Sequence, residues 1–410
     1  MNKDNIIFKK TNNFETLYIR LIFPFEENKK DISKNYILPS MLRYISNNYP
    51  EEHLFKAEKM ARNIITLNSY TGGVGTSCFF GFSLIIPDTK YLSYDQIDKS
   101  VELLHEMTYN PKVINGAFLD SELKREINNV KISIENRKKN LRGYLSYRLP
   151  SIIDKNGVYG RTLANNINQL DNLTAKELYT HYKKHIKTKD PYIFVYGNVD
   201  KKPITNILKK YFKNDNKVIS LYNYDYYLTP NKIKPKIVTE EKDFKQSAVT
   251  LIFKIKNFKK KDCVTLNSLR NLLVFPSTRL LFNKLRTEEG LVYSCNANAS
   301  IRFGILELNA FVDKDKVAFT KDKMLEVIKN LRDENKINIL LKEINEDFRF
   351  GMEEDKDDIK VQLDDIMCNY FKIKDMPSKV YKEKLKCKAK DIINLINRLQ
   401  LDTIYYIKEK

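Results

Sequence analysis

The chain has 410 residues, 42% of them hydrophobic and 11% aromatic, enough to bury real cores and more than one core usually organises, so roughly two to three domains are expected. The formal net charge of +20 comes from lysines spread through the whole sequence, with no zinc finger and no RNP-type aromatic signature. That pattern argues against a dedicated nucleic-acid surface and favours solvated lysine faces or the attraction of an acidic peptide.

The first residues, MNKDNIIFKK, lack the apolar run of a signal peptide, and no later stretch reaches the roughly 18 apolar residues of a membrane helix. A cytoplasmic location with no membrane partner is expected. Residues 15–25, ETLYIRLIFPF, read as a strand from their β-branched and aromatic content. Helical patterns follow in NYILPSMLRYIS and FKAEKMARNI, then strands ending in GFSLIIPD, then the helix YDQIDKSVELLHEMTYN. Between the strands, SYTGGVGTS at 69–77 lacks the Lys-Ser/Thr ending of a phosphate loop and the spacing of a dinucleotide fingerprint, and reads as a hairpin or a substrate-facing edge strand. A long charged helix, DSELKREINNVKISIENRKKN, carries a buried stripe at Leu123, Ile127, Val130 and Ile134. LTAKELYTHYKKHI opens with Thr174 and Glu177 in capping-box spacing, and PYIFVYGNVD reads as a strand ending in a turn.

Residues 206–240 turn rich in Lys, Asn, Tyr and Pro, with Pro230 and Pro235 interrupting any helix, and form the expected linker. Beyond it the order recurs. SAVTLIFKIKN at 247–257 answers the first strand, TLNSLRNLLV and TRLLFNKLR answer the paired helices, and strands through ILELNAFVDKD precede the helix FTKDKMLEVIKNLRD and the charged helix NILLKEINEDFRFGMEEDKDD. The two series run in parallel at an offset of about 225 residues. An α+β protein of two tandem homologous repeats follows, with domains at 1–205 and 241–410. The five cysteines, Cys78, Cys263, Cys295, Cys368 and Cys387, are scattered and without CxxC, so neither a disulfide framework nor a zinc knuckle is indicated.

This order of elements, together with LFNKLRTEEGLVYS in the second repeat, resembles the insulinase/pitrilysin family of inverted-motif zinc peptidases. The resemblance implies that each repeat is a mainly antiparallel sheet with helices packed on it, arranged as a half-shell, and that peptide adds to a sheet edge. Active members carry HxxEH on the first helix: two imidazoles one turn apart share a helix face and bind zinc, and the glutamate polarises the attacking water. The matching residues here are Leu38, Pro39, Ser40, Met41 and Leu42, so the zinc-motif positions Leu38, Met41 and Leu42 are degenerate. Glu122 or Glu126 matches the distant acid ligand. His53 and His105 are isolated, and His181 and His185, one helical turn apart, have no glutamate of the inverted motif and read as surface or packing residues.

ILPSMLRYISNNYP, FLDSELKREINNVKISIENRKKN and LTAKELYTHYKKHIKTKDPYIFVYGNVD are most similar to the inactive-subunit branch of the family. In its heterodimers one subunit holds zinc and the other contributes an arginine and a tyrosine, which match Arg286 and Tyr293 at the same spacing. A guanidinium offers planar donors to a peptide carbonyl, and a phenol can donate to an oxyanion. The implied function is a non-catalytic, zinc-free subunit of a heterodimeric zinc peptidase that supplies chamber walls and a substrate-binding Arg286/Tyr293 pair for processing a precursor or leader peptide. Zinc would sit in an HxxEH-containing partner subunit. The alternative is a peptide-binding or scaffold protein with no role in hydrolysis. The missing imidazoles predict that the purified chain binds no stoichiometric zinc; elemental analysis checks this, and a tightly held zinc with chelator-sensitive cleavage would overturn it.

Overall fold

The computed structural model describes residues 5–43, 45–74, 77–212, 226–230, 234–372 and 382–410. The first sheet is built from β1 (Ile6–Lys10), β2 (Thr16–Phe25), β3 (Thr66–Val74), β4 (Ser77–Pro87) and β5 (Tyr192–Gly197), in the order β1-β5-β2-β4-β3. The second uses β6 (Lys236–Lys242), β7 (Ser247–Ile255), β8 (Val292–Ser300), β9 (Ile305–Val312) and β10 (Leu399–Glu409), in the order β6-β10-β7-β9-β8. Replacing each strand of the first by its counterpart reproduces the second, including the single parallel pair, β1 with β5 and β6 with β10. Every other pairing is antiparallel. The structure is therefore α+β with two homologous repeats, as the internal similarity predicts.

In chain order the helices are α1 (Ile32–Met41), α2 (Glu52–Ala61), α3 (Tyr94–Tyr109), α4 (Asp120–Lys138), α5 (Leu141–Asp154), α6 (Ala175–Tyr182), α7 (Lys201–Phe212), α8 (Asp262–Val274), α9 (Leu280–Phe282), α10 (Val317–Asn330), α11 (Glu334–Glu354), α12 (Ile359–Tyr370) and α13 (Ala389–Arg398). Thr174 and Glu177 form the capping box that starts α6, and Ser93 with Gln96 does the same for α3. Within the stretch expected as a linker, α7 extends to Phe212 and β6 starts at Lys236; residues 213–225 and 231–233 lie outside the described residues.

Alternate residues of β2 (Leu17, Ile19, Leu21, Phe23) face a core shared with Leu38 of α1, Val101 and Leu104 of α3, and Leu123 of α4. The opposite face of the same strand is just as buried, since every residue of β2 after Thr16 is buried. Tyr18 and Ile22 there, with Phe194 of β5, pack against Leu363, Ile366 and Met367 of α12. In the second repeat β7 is buried at every position. Its core face meets α8, α10, α11 and α13, while Ala248 and Ile252 on the other face meet Leu145, Leu149 and Ile152 of α5.

The two compact units accordingly interleave along the chain. The first contains residues 1–135, 160–224 and 355–376; the second contains 136–159, 225–354 and 377–410. Each thus takes its outer-face helix from a segment far from its strands in sequence. Leu363 is fully buried against the outer face of the first sheet. Leu363→Ala should lower unfolding free energy by about 2–5 kcal/mol in urea titrations. A loss below about 0.5 kcal/mol would show that this face does not need its covering helix.

Candidate functional site

The degenerate motif sits on α1, and its residues are built into the core. Leu38 and Leu42 have no exposed surface and Met41 is buried, so none presents a donor atom to a metal. Pro39 lacks an amide hydrogen and leaves the carbonyl of Asn35, one turn earlier, without its helical partner. The hydroxyl of Thr71 on β3 donates to that carbonyl at 2.6 Å. The helix therefore tolerates the proline because the neighbouring edge strand replaces the missing bond. In β3 and β4, Gly72 lies opposite Phe79 and Gly81 opposite Tyr70, and a Cβ on either glycine would collide with the facing ring. SYTGGVGTS is thus partly an edge strand in which Gly72 makes room for the Phe79 ring; residues 75 and 76 lie outside the described residues.

A cleft of about 400 Å³ opens beside the motif, lined by Ser40, Met41, Arg43, Glu52, Glu122, Arg125 and others of α2 and α4. Glu126 lines it as well, so both candidates for the distant acid reach the same place. Between them stands Arg125, bonded to Glu122 at 2.6 Å, with Glu126 at 3.4 Å and Glu52 at 3.7 Å. Lys56 first, and Arg125 more weakly, hold the Glu52 carboxyl below the usual glutamate range. The three carboxylates are thus offset by a guanidinium, and the residues present do not fit a catalytic zinc. No group of three or more His, Cys, Asp or Glu among the described residues is disposed to hold a metal ion.

Three of the four histidines serve packing. His181 and His185 are buried with ring centroids 4.4 Å apart, beside Phe80, and His181 Nε2 lies 2.7 Å from Asn35 Oδ1. Burial pushes His181 down to about 3 and His185 to about 4, so both are neutral at pH 7. His105 packs among Tyr109, Tyr211 and Phe212 and is also shifted down by burial, while His53 is exposed beside Glu51.

In the second unit, Arg286 follows α9 in a wide helical turn anchored by the fully buried Leu285. Gly290, at φ +61°, turns the chain into β8, the edge strand of its sheet. The exposed Arg286 donates from Nη1 to the carbonyl of Val292 at 2.9 Å. Tyr293 is the extra residue where the β8–β9 register shifts between Val292 and Ser294, and a bulge of this kind re-aims a side chain. Its ring is 53% exposed, and its hydroxyl donates to Asp313 Oδ1 at 2.7 Å. That hydrogen bond raises the phenol above its ordinary value.

A metallopeptidase-like scaffold without the ligands of a metallopeptidase is the class that this fold and these residues define. Residues 172–338 match the family model described as the peptidase M16 inactive domain. The chain is 24% identical over 290 residues, 69% of its length and 67% of the relative's, to the Bacillus subtilis (strain 168) protein named "Probable inactive metalloprotease YmfF". A conserved protein from Enterococcus faecalis V583 has the same fold at a TM-score of 0.82 and 18% identity, over 99% of this chain and 96% of that one. So does a peptidase M16 inactive domain from Pseudomonas fluorescens, at a TM-score of 0.72 and 13% identity, over 99% and 95%. The chain thus resembles inactive members of the M16 family, over residues 172–338 by the family model and over 290 residues by the Bacillus relative.

Two participants escaped sequence reasoning. Arg125 stands within a turn of Glu122 and Glu126, a spacing visible in the helix, but its reach to Glu52 needs the fold. Asp313 meets Tyr293 only across the β8–β9 hairpin. The buried imidazoles yield a pH prediction. Their folded values lie below the unfolded value of about 6.5, so the stability they contribute is present above pH 6.5 and is lost as pH falls toward 4 and 3. Between pH 7 and pH 5 each should account for about 2 kcal/mol of lost unfolding free energy. His185→Leu should roughly halve that slope in urea titrations, and an unchanged slope would refute the assignment.

Proposed function

We propose that the chain is the zinc-free subunit of a cytoplasmic heterodimeric zinc peptidase, supplying chamber walls and presenting Arg286 and Tyr293 to peptide held at the metal of an HxxEH-containing homologous subunit. Its work is the processing of a precursor or leader peptide. The observation that carries the reading is the contrast between the two repeats. The degenerate motif is sealed into a core, whereas Arg286 and Tyr293 stand exposed beside an edge strand that can pair with an extended peptide. No helix among the described residues is long and apolar enough to cross a membrane.

Arg286 has donors beyond the one given to Val292, because a guanidinium carries five. Those can meet a substrate carbonyl. Co-expression with an HxxEH-containing homologue should give a 1:1 complex on a sizing column that cleaves peptide. In that complex Arg286→Ala should lower kcat/KM by roughly 10- to 150-fold, the effect of a lost charge-assisted hydrogen bond of about 1.5–3 kcal/mol. Parental rates from a well-assembled variant would make the chain a scaffold that takes no part in hydrolysis.

A further inference from the structure

The phenol of Tyr293 has one proton, and the hydroxyl donates it in a hydrogen bond to Asp313. An ionised carboxylate only accepts hydrogen bonds. Asp313 is held ionised: the Tyr293 hydroxyl first, then Lys316, keep its carboxyl below the usual aspartate range. The distances agree, 2.7 Å to the phenol and 2.9 Å from Lys316 Nζ to the second oxygen. Asp313 also stands at the N-cap of the short helical turn Lys314–Lys316, where an aspartate ordinarily accepts from the backbone, yet its side chain makes no capping bond. Its two oxygens instead serve Tyr293 and Lys316.

We infer that Asp313 is a positioning residue that turns Tyr293 into a hydrogen-bond acceptor, so that the hydroxyl takes a peptide N–H while Arg286 donates to a peptide C=O. The inference rests on the peptide-binding reading above and names what is bound: the backbone of an extended peptide, read at one donor and one acceptor. With its proton directed at Asp313, the hydroxyl offers lone pairs to anything approaching from solvent. A carbonyl oxygen or an oxyanion would face those lone pairs and be repelled, whereas an amide N–H would be bound. Arg286 has the opposite polarity and is tied through Nη1 to the carbonyl of Val292, the residue before Tyr293. An extended strand carries N–H and C=O groups in alternation, and the pair matches both. The role of Tyr293 therefore falls in binding, and its loss should raise KM more than it lowers kcat.

The test uses the full chain and two readouts. In chain labelled with 13Cζ-tyrosine, the Tyr293 resonance, identified by its loss in Tyr293→Phe, should titrate above about 10, and Asp313→Asn should bring the midpoint back toward that value. Binding is read by fluorescence anisotropy with a fluorescein-labelled acidic, unstructured peptide and its set of single backbone N-methyl derivatives. One methylation should weaken binding to the parent chain by about tenfold, the effect of one net hydrogen bond. That penalty should vanish in Tyr293→Phe, shrink in Asp313→Ala, and largely persist in Asp313→Asn, whose amide oxygen still accepts from the phenol. A midpoint unmoved by Asp313→Asn, or an N-methyl penalty equal in the parent and Tyr293→Phe, overturns the inference. If the parent binds no peptide while the Tyr293 midpoint still responds to Asp313, the peptide-binding reading itself has failed and takes the acceptor role with it.

Discussion

Central strands that are buried on both faces are the constraint from which the rest of this structure follows. A strand buried on one side alternates apolar with polar residues, and β2 and β7 do not. Each repeat packs its own helices on one face of its sheet, and the other face must find cover elsewhere. That requirement is met by α12 on the first sheet and α5 on the second, which is why the compact units interleave. Polar residues on these outer faces are paired rather than left alone: Arg20 bonds to Asp364 of α12 and to the Tyr18 hydroxyl, and the Lys254–Asp402 ion pair spans 3.0 Å with both partners buried. Removing one partner of such a pair strands a buried charge, so each is a point where register matters.

The same logic explains how a metal-site helix becomes a core helix. Histidine and glutamate at the motif positions would need a cation to be tolerated in a desolvated place. Leucine and methionine need nothing but neighbours, and Leu38, Met41 and Leu42 have them. Pro39 would break an isolated helix, but the Thr71 bond gives the Asn35 carbonyl the partner that the proline withholds. The carboxylates that remain on α4 keep a counter-charge in Arg125, tethered where it cannot dissociate.

Much of the architecture was legible because periodicity and capping are local. β2, β7 and the capping box of Thr174 and Glu177 follow from a few consecutive side chains, and so does the failure of the zinc motif. β1 was missed because IIFKK is a five-residue edge strand whose pairing lies with β5, far along the chain. The expected linker takes in the first five residues of KIVTEEK because its charged residues suit an edge strand and a loop equally well, and its identity as β6 comes from β10. α5 and α12 carry no sequence mark saying which sheet they cover. At the site, Arg286 and Tyr293 were legible from spacing, whereas the direction of the Tyr293 hydrogen bond was not, since Asp313 comes beside it only through a bulged hairpin.

That direction matters for how the resemblance to active relatives can be used. A tyrosine carried over by position brings a ring and an oxygen, but whether the oxygen gives or takes a proton is decided by what stands behind it. Here an ionised carboxylate stands behind it and Lys316 keeps that carboxylate ionised. The bulge at Tyr293 and the uncapped turn at Asp313 are both departures from the local backbone preference, and both serve one contact. Two local rules set aside for a single exposed hydrogen bond are hard to explain by stability, because an exposed bond of this kind contributes little to it. They are explained if the orientation of that hydroxyl is what the hairpin is built to hold.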